Sequence, residues 1–318
     1  GVAGAERLRG RATTRRRAGG GGGALGRQLL LLAALFSGAP CAFASSPDQM
    51  SSEILSTIVV PAYKEKPNIR PLTQRLLDAL RSHGMDKSTE ILIVDDNSQD
   101  GSEEAVNELQ KEGFPIRIFV RKTERGLSSA VLRGFQEAKG EKLICMDGDL
   151  QHPPERVPQL LKALDKADFV LGTRYGDGFA VDPSWPWYRV VISKGARLLA
   201  RPLTPLSDPM SGFFGITKTA LKRGAGKINP VGFKIALELY VKCGSSSHEE
   251  VSIFFGKREA GTSKLTGKVM LYYLVHLFQL YRYQYPMLIP ALLVLVLAFL
   301  WLLVSTLLGW NSNKAKLS

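Results

Sequence analysis

Short apolar segments alternate with longer amphipathic segments between residues 56 and 172. Apolar segments rich in β-branched residues have the pattern of buried strands, and they predict strands at 57–61, 90–95, 116–120, 143–146 and 169–172. The segments between them carry apolar residues at helical spacing, and they predict helices at about 71–82, 101–111, 127–139 and 154–166. This alternation predicts βαβ units and a mainly parallel sheet covered by helices.

Polar clusters follow three of the predicted strands, at the point where each strand ends. They comprise residues 61–65, 95–98 and 147–155. In open parallel sheets, ligands bind outside the carboxyl ends of the strands, and these ends share one edge. The three clusters therefore predict a single site at that edge.

The third cluster contains two carboxylates separated by one glycine, in the order Asp147, Gly148, Asp149, Leu150 and Gln151. Two like charges so close repel each other unless a cation lies beside them. Hard oxygen ligands favour Mg²⁺ or Mn²⁺, which proteins hold through a carboxylate or two together with substrate phosphates. The alternative is a solvated turn, because Asp and Gly are ordinary turn residues. The neighbouring polar strand ends favour a metal–diphosphate site.

Other classes of site lack their sequence signals. There is no phosphate-loop motif, and no dinucleotide fingerprint follows the first strand, so a bound nucleotide would be held by a divalent ion and side chains. The three cysteines and four histidines are scattered, which disfavours a zinc site and a disulfide framework and favours a reducing compartment.

The two ends of the chain differ from the middle. Residues 1–50 form a predicted targeting or disordered segment, with seven arginines before residue 28, an apolar run at 29–36 and small residues at 42 and 44. This pattern resembles a secretory signal or the start of a bipartite targeting peptide, and an uncleaved anchor or a misassigned start remains open. We exclude this segment from the fold.

The carboxyl-terminal end is strongly apolar. After a domain at 51–268, we predict an interfacial amphipathic helix at 269–285, a transmembrane helix at 286–310 and a polar tail at 311–318. Tyrosines at 281, 283 and 285 are typical of a membrane interface, and the next segment is long enough to cross a bilayer core. The alternative is a buried globular helix.

Nearly half of the formal net charge of +13 lies in residues 1–27, which carry seven arginines and one glutamate, and the remainder is spread over the rest of the chain. Nucleic-acid binding is disfavoured, because the folded part shows no helical basic stripe with stacking aromatics. A membrane surface or phosphate-rich ligands account for the excess equally well.

The order of several motifs along the chain resembles a known family of enzymes. Three segments resemble the inverting GT-A-fold glycosyltransferases of family 2: Val59–Glu65, Val94–Asp100 and Gly126–Ala130. Four more are similar to the branch of that family that transfers mannose to dolichyl phosphate: Asp147–Glu155, Gly172–Tyr175, Asp208–Phe214 and Arg258–Lys264. The resemblance implies an α/β fold, in which a Rossmann-like GT-A domain with a mainly parallel sheet precedes amphipathic helices and one C-terminal transmembrane helix.

The resemblance also implies a reaction. Mannose would pass from GDP-mannose to dolichyl phosphate with inversion, giving dolichyl β-D-mannosyl phosphate and GDP. The product is the mannose donor for N-glycans, GPI anchors and O-mannosylation. The implied cofactor is a divalent cation, Mg²⁺ or Mn²⁺.

The implied location is the endoplasmic reticulum membrane, with the catalytic domain facing the cytosol, where GDP-mannose is found. A working signal peptide would instead send the domain into the lumen. The lipid bilayer is a partner, and the sequence does not require accessory membrane subunits.

Residue roles follow from the positions that match the family. The metal ligands would be Asp147, Asp149 and Gln151, with Asp147 also a candidate for a ribose contact. GDP-mannose would contact Pro61, Tyr63, Glu65, Asp95, Asp147, Gly148, Asp149, Gln151, Arg258 and Lys264. The acceptor phosphate would lie against Arg174, Arg189 and Ser193. The implied catalytic residues are Asp149, Arg174 and Arg189.

The chemistry of a phosphate acceptor agrees with these arginines. A phosphate is already anionic, so it needs little deprotonation, but it needs positive charge to approach a negatively charged donor. Arginine suits this task because its planar fork donates two parallel hydrogen bonds. The alternatives are a solvated surface role for each arginine, a turn or helix cap for Asp95 and a surface carboxylate for Glu65.

Three rival functions remain. The nearest is transfer of glucose from UDP-glucose to dolichyl phosphate by the same fold. A second is a membrane-anchored nucleotide-binding protein without catalysis, which would not need the acidic and basic site residues. A third is a polymerising synthase, which usually needs several spanning helices.

Overall fold

The computed structural model describes residues 53–175, 187–229, 234–254 and 267–315. Seven strands in these residues form one sheet in the order β3-β2-β1-β4-β6-β5-β7. The strands are β1 (Ser56–Ala62), β2 (Thr89–Asp95), β3 (Ile116–Val120), β4 (Lys142–Cys145), β5 (Phe169–Thr173), β6 (Phe214–Thr217) and β7 (His248–Ser252). The helices are α1 (Lys66–Arg81), α2 (Ser102–Lys111), α3 (Leu127–Glu137), α4 (Val157–Ala163), α5 (Trp187–Ala200), α6 (Lys218–Arg223), α7 (Ile235–Lys242), α8 (Gly267–Gln284) and α9 (Leu288–Ala315).

The pairing of the strands confirms a mainly parallel α/β sheet. β1 lies between β2 and β4 and is parallel to both, and β2 is parallel to β3. The carboxyl ends of these four strands therefore share one edge. β6 is antiparallel to β4 and β5, and β7 is parallel to β5. The sequence pattern did not predict these last two strands.

Two predicted helix boundaries are wrong. The first helix begins at Lys66 rather than 71, because Pro67 lies in its first turn, where a missing N–H costs no helical hydrogen bond. Pro71 lies inside this helix and does not start it. The helix predicted at 154–166 divides into a 3₁₀ turn at Pro154–Arg156 and the shorter α4.

Helices cover both faces of the sheet, so every residue of β1 is buried. Ile58 and Val60 face a cluster that includes residues of α1, α2 and α4, whereas Val59 faces one that includes residues of α3 and α7. This double burial explains the continuous apolar runs of the central strands.

Helix α3 approaches the sheet so closely that Gly134 has no room for a side chain. A Cβ added there would lie 2.3 Å from Val59 Cγ1 and 3.0 Å from Val94 Cγ2. We expect Gly134→Ala to lower the free energy of unfolding by about 1–3 kcal/mol, since overpacking outweighs the helix propensity of alanine. Urea denaturation would measure this change.

Gly195 provides a matched control, because it also lies within a helix and a Cβ there would meet nothing within 4 Å. We expect Gly195→Ala to raise the free energy of unfolding by about 0.5–1 kcal/mol. Equal stabilisation by the two alanines would contradict the close packing of α3.

Helices α5 and α8 pack on each other and on α7. Their shared core comprises Ala200, Leu203, Leu237, Val241, Leu277 and Leu280. Three tyrosine hydroxyls donate to backbone carbonyls at and just after the end of α5: Tyr273 to Ala196 (2.7 Å), Tyr281 to Leu199 (2.8 Å) and Tyr285 to Pro202 (2.7 Å). The helix predicted at 269–285 is thus present as α8, and it is joined to α5.

Apolar side chains remain exposed beyond this core. On α8 they include Met270, Leu271, Leu274, Val275 and Phe278, and on α9 they continue from Leu292 to Val304. Across the described part of the chain, no helix combines the length and apolarity that crossing a membrane requires. The transmembrane helix at 286–310 therefore stays a prediction. The predicted targeting segment at 1–50 lies outside the described residues.

Candidate active site

The loops at the shared sheet edge have an unusual backbone conformation. Among the described residues, the non-glycine residues with positive φ are Lys64 (59°), Asn97 (55°), Gln99 (52°) and Leu150 (62°). All four follow β1, β2 or β4 at their carboxyl ends. Such conformations are costly for residues with a Cβ, and they cluster at functional sites where surrounding contacts impose them.

Asp95 joins the loops that follow β1 and β2. Its carboxylate accepts hydrogen bonds from the Ser98 backbone N–H (2.8 Å) and hydroxyl, and Ser98 Oγ accepts one from the Lys64 N–H (2.8 Å). Asp95 is only 3% exposed. The turn-capping role considered for Asp95 is therefore present, and its contact with a nucleotide stays a prediction.

A second set of hydrogen bonds, which the sequence did not predict, centres on the ion pair of Arg121 and Asp96. Arg121 donates to Asp96 Oδ1 (2.6 Å), to Ser129 Oγ (2.8 Å) and to the Gly126 carbonyl (2.9 Å). Asp96 Oδ2 also accepts from the Gly126 N–H at 2.9 Å. These hydrogen bonds fix the start of α3 against the loop after β2.

Tyr63 projects from the same edge with its ring partly exposed. The ammonium of Lys64 and the guanidinium of Arg125 lie 5.6 and 5.7 Å from the ring centroid, within the range of cation–π contacts. Pro61 lies inside β1 and is buried. The ring therefore lies within a positively charged part of the edge.

The acidic loop after β4 folds back on itself. Asp149 Oδ1 accepts a hydrogen bond from the Gln151 N–H at 3.2 Å, across the left-handed Leu150. The Asp147 N–H donates to His152 Nδ1 at 3.0 Å, so a neutral His152 carries its proton on Nε2. Burial lowers the pKa of His152, and its ring stacks on Phe213 at 5.2 Å between centroids. The loop is thus fixed from within.

Neighbouring segments approach this loop closely on two sides. A Cβ added at Gly148 would lie 3.8 Å from Glu65 Cγ, and one added at Gly212 would lie 3.4 Å from Asp147 Oδ2. Glu65 is oriented by Asn68, whose side-chain amide donates to Glu65 Oε2 at 2.7 Å. The structure therefore brings Glu65 to the acidic loop, as the sequence predicted from the shared edge.

The donor atoms of this loop fit a hard divalent cation. Asp147 and Asp149 contribute carboxylate oxygens and Gln151 an amide oxygen, which are ligands that Mg²⁺ and Mn²⁺ prefer. In the residues that the structure describes, no group of three or more His, Cys, Asp or Glu side chains could hold a metal. A set of two carboxylates and one amide would leave the other coordination positions to substrate oxygens and water.

Arg174, which directly follows β5, forms a bidentate ion pair with Asp208. Its Nε donates to Asp208 Oδ2 at 2.6 Å and its Nη2 to Oδ1 at 2.9 Å. Asp208 is fully buried, and its hydrogen bonds and charge raise the pKa of Arg174 although burial of the guanidinium opposes this. Next to it, the Tyr175 hydroxyl lies 3.1 Å from Ser193 Oγ on α5. The predicted acceptor residue Ser193 thus contacts the residue that follows Arg174.

A further set of hydrogen bonds holds the segment that carries Asp208. Glu250 on β7 accepts from the Ser207 N–H at 2.6 Å and from its hydroxyl. The Ser207 hydroxyl also lies 2.6 Å from Thr173 Oγ1. The segment is therefore fixed to β5 and β7, which orients the carboxylate that binds Arg174.

Sequence reasoning missed three residues of this region. Asp208 lies in a motif that carried the family resemblance, but nothing in the sequence signalled its pairing with Arg174. Glu250 and Lys234 lie outside every motif. Lys234 precedes α7, and its Nζ donates to the Met210 carbonyl at 2.9 Å.

Three predicted site residues are not tested. Arg189 lies on α5, but its side chain is outside the described part of the structure. Arg258 and Lys264 belong to residues 255–266, which are also outside it. Their roles at the donor and acceptor stay predictions.

Comparisons with known proteins agree on the family. Residues 57–224 match the family model described as glycosyl transferase family 2. The chain is 54% identical over 260 residues to the dolichol-phosphate mannosyltransferase of Mycosarcoma maydis, covering 79% of this chain and 88% of that protein. It is 54% identical over 235 residues to the protein of that name from Saccharomyces cerevisiae, covering 72% and 88%.

A solved structure supports the fold alone. Mannosyl-3-phosphoglycerate synthase from Rubrobacter xylanophilus superposes with a TM-score of 0.50 at 15% identity, over 74% of this chain and 76% of that one. The sheet and its helices thus share their architecture with that protein.

Proposed function

Because the chain belongs to glycosyl transferase family 2, and within it to the dolichol-phosphate mannosyltransferases, we propose that it transfers mannose from GDP-mannose to dolichyl phosphate. The observation that carries the proposal is the 54% identity to two proteins of that name over most of their length. The site geometry supports it, since an acidic loop suited to a metal-bound diphosphate lies near a partly buried arginine suited to a phosphate.

On the donor side, the acidic loop and the loop after β1 form one surface. Asp147, Asp149 and Gln151 would hold Mg²⁺ or Mn²⁺, which would stabilise the negative charge that develops on the GDP leaving group. Glu65 lies against the acidic loop, and Asp95 fixes the loop after β2 through Ser98. These contacts support a role for both residues in orienting the nucleotide. The fixed loops would hold the diphosphate without reorganisation during the reaction.

On the acceptor side, Arg174 is oriented by Asp208 before any substrate binds. A phosphate held there would need no general base, because it is already anionic at neutral pH. Attack of its oxygen on the anomeric carbon, in line with the departing GDP, gives inversion and a β-linked product. That product would serve as the mannose donor for N-glycans, GPI anchors and O-mannosylation.

The exposed apolar side chains of α8 and α9 support a proposal about location. We propose that they enter a lipid bilayer, with 286–310 as the anchor, and that the catalytic domain faces the cytosol at the endoplasmic reticulum. The polyprenyl tail of the acceptor would then stay in the same bilayer. Protease treatment of sealed microsomes should digest the catalytic domain, and protection of that domain would overturn this orientation.

The function is tested by comparing two labelled donors. Membranes containing the full chain, with dolichyl phosphate added, should incorporate label from GDP-mannose but not from UDP-glucose into lipid. Chelation by EDTA should stop the transfer, and added Mn²⁺ or Mg²⁺ should restore it. Transfer from UDP-glucose would favour the glucosyl alternative, and transfer from neither donor would favour a non-catalytic protein.

A further inference from the structure

Glu238 is a buried carboxylate that lies outside the candidate active site. It belongs to α7 and is 1% exposed. The Asn229 N–H (2.7 Å) and the Lys242 ammonium (2.6 Å) donate to its Oε1, and His276 Nε2 lies 2.5 Å from its Oε2. Because these partners belong to the segment before α7, to α7 itself and to α8, one side chain connects three parts of the chain.

The hydrogen bonds form around an ionised carboxylate. Burial alone raises the pKa of Glu238, but the hydrogen bonds from His276, from Lys242 and from a backbone N–H outweigh burial and hold this pKa below its usual value. An ionised carboxylate can only accept, so His276 carries a proton on Nε2 and donates it. Lys242 already supplies a counter-charge from within α7. Glu238 therefore does not need His276 for its charge balance.

The bond to His276 has a direction, which the apolar contacts of α8 do not. Leu277 and Leu280 of α8 pack in the core shared with α7. Apolar contacts are non-directional, so by themselves they tolerate small rotations of one helix on another. A hydrogen bond weakens steeply away from its preferred angle, so a buried polar pair can select one arrangement of two helices. The pair of Glu238 and His276 is thus suited to fix the rotation of α8 on α7.

Both helices that contact α8 connect to the acceptor side of the candidate site. Lys234 directly precedes α7 and donates to the Met210 carbonyl at 2.9 Å. Met210 lies two residues from Asp208, whose carboxylate binds Arg174. On the other side, α8 is hydrogen-bonded to α5, which carries the predicted acceptor residue Ser193. A rotation of α8 would therefore displace α5 relative to α7, and with them the residues that they hold.

We propose that the hydrogen bond between His276 and Glu238 is a positioning contact for the acceptor. It fixes the rotation of α8 on α7, and thereby the spacing between Arg174 and Ser193. It also fixes the direction in which α8 presents its exposed apolar face. The proposal rests on the proposed function and adds two positioning residues to it, which act through α7 and α5 and touch neither substrate.

A purely structural role is the alternative, in which the pair contributes stability alone. His276→Leu removes the donor, and His276→Asn keeps a polar side chain that is too short to reach Glu238. His276→Gln places an amide N–H near the position of Nε2 and should restore the bond. Leu277→Ala is the matched control, because it loosens the same core and leaves the hydrogen bond in place.

The experiment measures steady-state transfer by the full chain in dolichyl-phosphate-containing membranes, varying donor and acceptor separately. We expect His276→Leu and His276→Asn to raise the KM for dolichyl phosphate by about 10- to 100-fold, because a misplacement of about 1 Å caused far from the reacting atoms has effects of this size. Their KM for GDP-mannose and their GDP affinity with Mn²⁺ should match the unsubstituted chain. His276→Gln should keep an acceptor KM close to the original one.

A loss of folded protein alone lowers the apparent kcat and leaves both KM values unchanged, which is the result expected for Leu277→Ala. An unchanged acceptor KM in His276→Leu and His276→Asn would overturn the proposal in favour of the structural role. An equal rise in Leu277→Ala, or in the KM for the donor, would also overturn it. If His276→Leu does not fold, the comparison of His276→Asn with His276→Gln decides. An unsubstituted chain that transfers from neither donor would instead refute the proposed function itself.

Discussion

We expect Asp149→Ala to lower mannosyl transfer by about a thousandfold or more. Asp149 is 6% exposed and its carboxylate closes the turn to Gln151, so its removal takes away both a proposed metal ligand and the hydrogen bond that shapes the loop. Asp149→Asn keeps the shape of the side chain and should lose nearly as much, because the charge is what the cation requires. Transfer of labelled mannose to lipid measures the loss.

A binding measurement shows whether the loss comes from the metal. GDP should bind the unsubstituted chain more tightly with Mn²⁺ than without it, and this difference should disappear in Asp149→Ala. Asp165→Ala is the control, because Asp165 is an exposed carboxylate that pairs with Lys142 at the far sheet edge. Mn²⁺-dependent GDP binding that survives in Asp149→Ala would refute the assigned metal site.

The second large effect concerns the pair of Arg174 and Asp208. We expect Asp208→Ala to lower the free energy of unfolding by about 3–5 kcal/mol, because it leaves a largely buried guanidinium without its counter-charge. Arg174→Lys keeps the charge but loses the parallel hydrogen bonds, and it should reduce transfer by about a hundredfold. Chemical denaturation and the transfer assay measure these two changes.

A double-mutant cycle separates the pair from its surroundings. The double alanine variant should be less destabilised than the sum of the single variants, because it leaves no unpaired charge. The bidentate ion pair of Arg70 and Glu112 is a matched control, because both of its side chains are 44% exposed. Removing Glu112 should change the free energy of unfolding very little, because solvent screens this exposed pair. Similar costs for the two pairs would contradict the importance of burial at Asp208.

The first five strands could be predicted because the chain encodes them locally. Each is a short apolar run between turn signals, and burial on both faces makes that run continuous. β6 and β7 could not be predicted in this way. β6 is only four residues long, and the sequence of β7 is His-Glu-Glu-Val-Ser, a partly exposed edge strand whose charged residues hide its pattern.

In the candidate site, too, the residues that lie close together in sequence could be predicted, and the contacts between distant residues could not. Asp147, Asp149 and Gln151 are near one another in sequence, so one turn brings them together. The partner of Arg174 lies 34 residues away, and no local pattern records that pairing. Lys234 contacts the Met210 carbonyl across a separation of 24 residues, and a single lysine in a basic chain carries no signal of its own.

Three tyrosine hydroxyls bind α8 to the end of α5, so the two helices should move together. α5 also carries Ser193, whose hydroxyl meets Tyr175 beside Arg174. A change in the tilt of α8 would therefore move the helix that carries Ser193, next to the proposed acceptor site. In the proposed membrane location, the thickness and lateral pressure of the leaflet would thereby act mechanically on the reaction.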